Sequence, residues 1–333
     1  MKRESAKNNV SSPFAAEGKL RFQKRLLHWY ETERRDLPWR RTRDPYRIWV
    51  SEIMLQQTRV AAVLDHYERF FQRFPTLEKL ASASEASVLA AWSGLGYYRR
   101  ARMMHVAARE IARERNGSFP ASAEDLRTLS GIGRYTAAAI ASIAFDEPVA
   151  VVDGNVERVL QRILGKKLKT SELWGSADDL VSRDRPGDFN QAMMELGATI
   201  CLPRDPKCLT CPVMELCRTK GELAAERTAA KQNKRELHYA LNCNDKAVLL
   251  VQRPKHVSLM PAMWELPELV AKGNISESAW LTLRHSITVN DYTVRVSRTS
   301  KPSAGGRWIA KNRLAKMPLT GLARKILIAA ELL

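Results

Sequence analysis

"LSGIGRYTAAAI", residues 129–140, sets two glycines two positions apart between apolar stretches, with Thr136 just inside the second. Gly131 and Gly133 permit a tight turn whose backbone N–H groups point outward beside a helix N-terminus. Such a turn offers a phosphate oxygen a neutral cradle that ignores base sequence. The same residues also suit an ordinary corner between two helices, so their surroundings must decide. From Gly18 to about Gly197 those surroundings are helical. "FQKRLLHWYET", "PYRIWVSEIMLQQTRVAAVLDHYERFFQRF" and "RRARMMHVAAREIARERNG" repeat apolar residues at helical spacing, between serine caps and glycine stops. No stretch of this part alternates as a half-buried strand does.

The balance of charge says what such a turn would meet. The 333 residues carry 54 Lys and Arg against 36 Asp and Glu, a formal net charge of +18. Of this, +8 lies in residues 238–333 and +10 in residues 1–237, so both parts are basic. Nucleic acid is the first expectation for so basic a chain, and an anionic membrane surface the second. No apolar run is long enough to span a bilayer. The N-terminal "MKRESAKNNVSSPFAAEGK" has no signal-peptide core, so a cytoplasmic protein is expected.

Composition changes along the chain. Residues 1–17 read as a disordered tail, and 218–237 as a polar, charged linker. Beyond it, "HYALNCNDKAVLLVQR", "LTLRHSITVNDYTVRVSR" and "GGRWIA" are β-branched runs between turn residues, and "GLARKILIAAELL" closes as a helix. The fold class read from the pattern is mainly α, with a helical domain over 18–217 and a smaller α+β domain over 238–333.

Two acids sit among apolar neighbours. Glu52 lies in "IWVSEIMLQQT", and Asp153 follows "PVAVV", where a strand-like approach meets a helix N-terminus. Burial pushes a carboxyl toward its protonated form, while a helix N-terminus favours its anion. The pair could therefore divide into a general acid and an anionic stabiliser, the division used in glycoside cleavage. Asp153 also reads as a plain helix cap, and the two roles are compatible.

Four of the five cysteines, Cys201, Cys208, Cys211 and Cys217, follow the spacing C-x6-C-x2-C-x5-C within 17 residues. In the cytosol such clusters are more often metal ligands than disulfides. Zinc ribbons usually pair two C-x2-C knuckles across a longer gap, so this compact, asymmetric set favours iron–sulfur over zinc without excluding zinc. Arg204 and Lys207, inside the loop, suit phosphate contact, and the fifth thiol, Cys243, reads as buried or inert.

"LPWR" (37–40), "SEIMLQQT" (51–58), "GLGYYRRAR" (94–102), "LSGIGRYTA" (129–137), "VVDGNVERVL" (151–160) and "FNQAMMELGATIC" (189–201) occur together and in order. Over roughly residues 20–217 the chain resembles the adenine DNA glycosylases of the MutY type, within the endonuclease III, helix–hairpin–helix superfamily. The resemblance implies a base-excision-repair enzyme that removes adenine mispaired with 8-oxoguanine or guanine in double-stranded DNA, as a monomer. It also implies a [4Fe-4S] cluster on the four cysteines and a Nudix-like mispair-recognition domain at 238–333.

Residue by residue, the resemblance makes Glu52 the acid that protonates the leaving base and Asp153 the carboxylate that stabilises the oxocarbenium-like sugar. Tyr135 and Asn155 support them. Trp39, Arg40, Leu55 and Gln191 would line the adenine pocket. Gln57, Thr58, Leu95 and Tyr97 would enter the duplex and contact 8-oxoguanine, and Gly131, Gly133 and Thr136 would hold backbone phosphates. Where the endonuclease III branch has a lysine nucleophile this chain has Tyr135, which implies hydrolysis without a Schiff base. The family's Phe-Ser-His turn corresponds to Ile287, Thr288 and Val289, leaving Thr288 to supply the hydroxyl. The rival readings are an endonuclease III-like enzyme acting on oxidised pyrimidines, and a non-catalytic DNA-binding scaffold.

Overall fold

A computed structural model describes residues 16–223, 233–257, 259–269, 279–287, 290–299 and 305–333. Its helices, in chain order, are α1 (Ala16–Glu33), α2 (Pro45–Leu55), α3 (Val60–Arg73), α4 (Leu77–Ser82), α5 (Glu85–Ala91) and α6 (Arg99–Glu114). There follow α7 (Ala123–Leu126), α8 (Arg134–Phe145), α9 (Gly154–Leu164), α10 (Thr170–Leu180), α11 (Pro186–Thr199) and, near the C-terminus, α12 (Gly321–Ala329). The strands are β1 (Asn233–Leu241), β2 (Ala247–Gln252), β3 (Trp264–Glu265), β4 (Leu281–Ile287), β5 (Asn290–Arg298) and β6 (Arg307–Ala310). Helices thus precede strands along the chain, the mainly α pattern with a smaller α+β region that the hydrophobic periods indicate. By packing, the chain forms two compact units: Met1–Gln56 with Glu110–Glu226, and Gln57–Arg109 with Arg227–Leu333.

The first unit is assembled around α8 and α11. Thr136 to Ile143 of α8 are all buried, so this alanine-rich helix runs through the interior rather than along a surface. Two glycines let α11 approach its neighbours closely. A Cβ on Gly187 would lie 2.6 Å from the Ser142 carbonyl oxygen of α8. One on Gly197 would lie 2.6 Å from the Asn155 Cβ of α9. No residue from Pro186 to Gly197 is exposed.

The apolar run before Asp153 is irregular, not the strand-like segment the sequence suggests. Side chains take the place of a neighbouring strand: Val151 N donates to Asn190 Oδ1, Asn190 Nδ2 donates to the Val149 carbonyl, and Ala150 N donates to Asp178 Oδ1. The backbone is satisfied without a sheet.

In the second unit β5 pairs in parallel with β1 and antiparallel with β4, while β2 pairs antiparallel with β3 and β6. Tyr239, Leu241, Val248, Leu250, Val294 and Val296 from the strands meet Leu322, Ile326 and Leu327 of α12 in one apolar core. Helices α3 to α5 and the start of α6 belong to the same unit. Tyr98 donates its hydroxyl to the Leu319 carbonyl at 2.8 Å. Cys243, read from the sequence as buried or inert, is exposed, which leaves only the second of those readings. Strand β1 ends two residues earlier at Leu241, and the polar Asn-Cys-Asn sequence turns the thiol outward.

A candidate active site in the helical unit

Helix α2 is fixed by Pro45 at its first turn and by Asp44, whose carboxylate accepts from Tyr46 N. Eight of its residues are buried, and Glu52 is one of them, 5% exposed. Tyr135, the second residue of α8, donates its hydroxyl to Glu52 Oε2 at 2.7 Å, and Met194 Sδ of α11 stands 3.2 Å from the same hydroxyl. Burial raises the Glu52 carboxyl and the negative Asp153 raises it further, while the Tyr135 hydrogen bond and Arg40 lower it. The balance places it at about 7. Burial and the same two acids push the Tyr135 phenol far above its ordinary value, so it remains a proton donor.

Asp153 is the N-cap of α9. It accepts from Asn155 N at 2.9 Å and Val156 N at 2.8 Å, and its second oxygen accepts from Asn155 Nδ2 at 3.0 Å. Cap and site carboxylate are one group, as the sequence allowed. Asn155 is held in turn by Arg158, whose Nη2 donates to Asn155 Oδ1 and to the Gly197 carbonyl. The structure therefore brings Glu52, Tyr135, Asp153 and Asn155 together from α2, α8 and α9.

Arg40 ends a short 310 turn, Pro38–Arg40, in which Trp39 is buried. Arg40 Nη2 donates to Glu195 Oε2 at 2.7 Å, and Arg35 donates to both Glu195 oxygens. Glu195 was not among the residues singled out in the sequence. The signal was available: an acid inside "AMMELGA" must find cations, and two arginines flank "DLPW". Gln191, one turn earlier on α11, accepts from the Tyr30 hydroxyl, and Leu55 is half-buried at the end of α2.

The glycine turn has the expected backbone. Gly131 is at φ +75°, a conformation that favours glycine, and Gly133 caps α8 without a side chain. Both are exposed, while Leu129 and Ile132 are buried beneath them. Glu110 steadies the turn by accepting from Ser130 N and Ser130 Oγ. Thr136 is buried and accepts from Gln56 Nε2 at 3.3 Å.

The four clustered thiols line one cavity, walled by Val159, Ile163, Leu196, Val213 and Met214. Among the described residues no group of three or more His, Cys, Asp or Glu is placed to hold a metal ion. Burial, together with the neighbouring Cys201, Cys217 and Cys208, pushes the Cys211 thiol up to about 11. Arg162 donates to Cys201 Sγ at 3.3 Å and Lys220 N to Cys217 Sγ at 3.4 Å, both donors of the kind thiolate sulfur accepts. Arg204 and Lys207 are exposed on the loop.

The remaining expected residues lie in the other unit. Gln57 is exposed at φ +54° and Tyr97, 51% exposed, is at φ +45°, an uncommon state for non-glycine residues. Leu95 is buried, as is Tyr98, so the tandem tyrosines face opposite ways. Arg100 ties this segment together: its Nη2 donates to Thr58 Oγ1 and to the Leu95 carbonyl, and its guanidinium stands 5.4 Å from the Tyr97 ring centroid. Thr288 lies outside the described residues.

Residues 50–173 match the family model described as HhH-GPD superfamily base excision DNA repair protein. The adenine DNA glycosylase of Rattus norvegicus is 51% identical over 224 residues, covering 63% of this chain and 43% of that protein. The adenine DNA glycosylase of Buchnera aphidicola subsp. Baizongia pistaciae is 33% identical over 266 residues, covering 77% of this chain and 76% of that protein. The chain belongs to the adenine DNA glycosylase family. It spans less than half the length of the rat member of that family. Among solved structures, a thermostable thymine-DNA glycosylase aligns with a TM-score of 0.58 at 33% identity, covering 61% of this chain and 97% of that one. Glu52, Tyr135, Asp153 and the glycine turn of this adenine DNA glycosylase family member all fall inside the matched family segment.

Proposed function

We propose that the protein is a monofunctional glycosylase that hydrolyses the N-glycosidic bond of adenine mispaired with 8-oxoguanine or guanine in double-stranded DNA. One observation carries the reading: a buried carboxyl at about 7 hydrogen-bonded to a phenol, with a second carboxylate held at a helix N-terminus. The adenine DNA glycosylase relatives supply the base.

In this reading Glu52 protonates the adenine ring. A group that titrates at about 7 is both available as an acid and strong enough to give its proton up near neutral pH. As the glycosidic bond breaks, positive charge grows on the sugar, and Asp153 is the anion that stabilises it until water adds. The Asn155 side chain holds the Asp153 oxygen that the α9 backbone N–H groups leave free, and Tyr135 orients Glu52. Tyr135 has no amine with which to form a Schiff base, so strand nicking is not part of the reaction.

A base inside a duplex must leave the stack to reach such a site. Trp39, Arg40, Leu55 and Gln191 are assigned to the pocket that receives it. Gln57, Thr58, Leu95 and Tyr97 are assigned to the gap it leaves and to the opposing 8-oxoguanine, with Thr288 as a further contact. Gly131, Gly133 and Thr136 form the phosphate cradle, in which the buried Thr136 acts by supporting the turn rather than by reaching solvent. Residues 18–217 are the catalytic domain in this scheme, and 238–333 inspect the mispair.

The donor set of the cysteine loop fits a [4Fe-4S] cluster: four thiols line one apolar-walled cavity, and two of them already accept N–H bonds. Cys201, Cys208, Cys211 and Cys217 would hold it. Bound there, the cluster supplies a rigid cross-link that fixes the basic loop carrying Arg204 and Lys207.

A duplex containing adenine opposite 8-oxoguanine tests the proposal. The protein should leave an alkali-labile site at that adenine, and Glu52→Gln should slow the release by about 10²–10⁴-fold. Release of thymine or of an oxidised pyrimidine in place of adenine would overturn the substrate assignment. Binding of the mispair without any base release would make the protein a scaffold.

A further inference from the structure

The Tyr135 hydroxyl has one proton and two acceptors within reach, Glu52 Oε2 at 2.7 Å and Met194 Sδ at 3.2 Å. A phenol can donate only one hydrogen bond at a time. When Glu52 is ionised the choice is simple, because a charge-assisted bond is roughly twice as strong as a neutral one. A protonated Glu52 changes the order. Its carboxylic O–H is a better donor than a phenol, and the Tyr135 oxygen can accept from it only if the phenol proton turns elsewhere. The thioether of Met194 is a weak, polarizable acceptor placed where that proton would go.

Resting on the glycosylase reading above, we propose that Met194 is a positioning residue for the general acid. Its sulfur takes the Tyr135 proton while Glu52 is protonated, so that the Tyr135 oxygen can accept from Glu52 and hold the acid loaded. Delivery reverses both bonds. Glu52 gives its proton to the base nitrogen, and the Tyr135 O–H swings from Met194 to the new carboxylate. Tyr135 and Met194 gain and lose no proton in the cycle. The other charged groups that act on Glu52 are Asp153 at the start of α9, which disfavours its ionisation, and Arg40 from the 310 turn, which favours it. Neither is altered by a change at Met194.

Met194→Leu keeps bulk and apolarity and removes the acceptor. With no second acceptor for the Tyr135 proton, the Tyr135 oxygen can no longer accept from protonated Glu52, and the protonated acid loses stability relative to the ionised one. The alkaline limb of the single-turnover adenine-release rate should move down by about half a pH unit, the size expected for a weak hydrogen bond. Met194→Ile should do the same, which guards against a packing effect peculiar to leucine. In a Tyr135→Phe background neither change should move the limb further. Isotope-edited infrared titration of the Glu52 carboxyl in the DNA-free protein should show the same displacement. An unmoved limb, an upward shift, or an equal shift in the Tyr135→Phe background would overturn the role of Met194. Failure of the glycosylase reading looks different: the wild-type protein releases no adenine, while the infrared titration still reports on the contact.

Discussion

Glu52 and Glu195 are both buried glutamates of the same unit, and their neighbours drive them in opposite directions. Burial raises both. At Glu52 the Tyr135 and Arg40 contributions do not overcome it, and the carboxyl sits at about 7. At Glu195 the hydrogen bonds and charges of Arg35 and Arg40 outweigh it and hold the carboxyl at about 2. The consequences for stability have opposite signs. Glu52 titrates from 4.5 in the unfolded chain to about 7 in the fold. Its neutral form therefore favours folding below pH 4.5, and that contribution is lost as pH rises through 7. Glu52→Gln should raise stability at pH 8 by as much as about 3 kcal/mol and leave it nearly unchanged at pH 4, measured by denaturant unfolding. Glu195 contributes above its unfolded value of 4.5 and loses that contribution as pH falls toward 2. Glu195→Gln should cost about 3–5 kcal/mol at neutral pH, because it leaves Arg40 buried without its anion. A protein that is stabilised by losing its acid has placed that acid for a purpose other than folding.

Helices α9 and α11 cross where Gly197 meets Asn155, and the contact has no room for a methyl group. Gly197→Ala must push the helices apart, at a cost of about 1–3 kcal/mol. Since Asn155 holds the second oxygen of Asp153, the same change should slow adenine release. Unfolding and single-turnover rates measured on one preparation will show whether both fall together; a loss of stability with an unchanged rate would detach the crossing from the chemistry. This scale also shows what the sequence could and could not reveal. Glu52 and Asp153 were legible because each interrupts an apolar run, and the turn was legible because only glycine suits Gly131. The Arg35–Glu195–Arg40 cluster, Arg158 and Arg100 were not. Each joins residues that are far apart in the chain or ties side chain to backbone, and hydrophobic period carries no information about such pairings. The exposure of Cys243 was hidden for a related reason, since burial at a strand end depends on where the ladder stops.

For the molecule as a whole, the net charge of +18 is spread over both halves of the chain. If both touch DNA, binding releases many counterions, and affinity should fall steeply and linearly in log–log terms as salt rises. For a footprint of about 6–10 phosphates the loss between about 50 and about 200 mM salt is roughly a thousandfold or more. Fluorescence anisotropy with a mispaired duplex measures it directly, and a shallow slope would mean that few of these cations meet phosphate. No helix among the described residues is long and apolar enough to cross a membrane, in line with the hydropathy of the sequence.

Helix α11 has no exposed residue from Pro186 to Gly197, and its sides are spoken for separately. Gly187 admits α8, Asn190 satisfies the segment before Asp153, Gln191 meets Tyr30, Met194 meets Tyr135, Glu195 binds two arginines, and Gly197 admits α9. A typical surface helix tolerates substitution on every third or fourth residue, the face it shows to water. Helix α11 has no such face over those twelve positions. Under random mutagenesis its tolerance should be low and flat, without the helical rhythm, and a laboratory lineage of this protein would change here last.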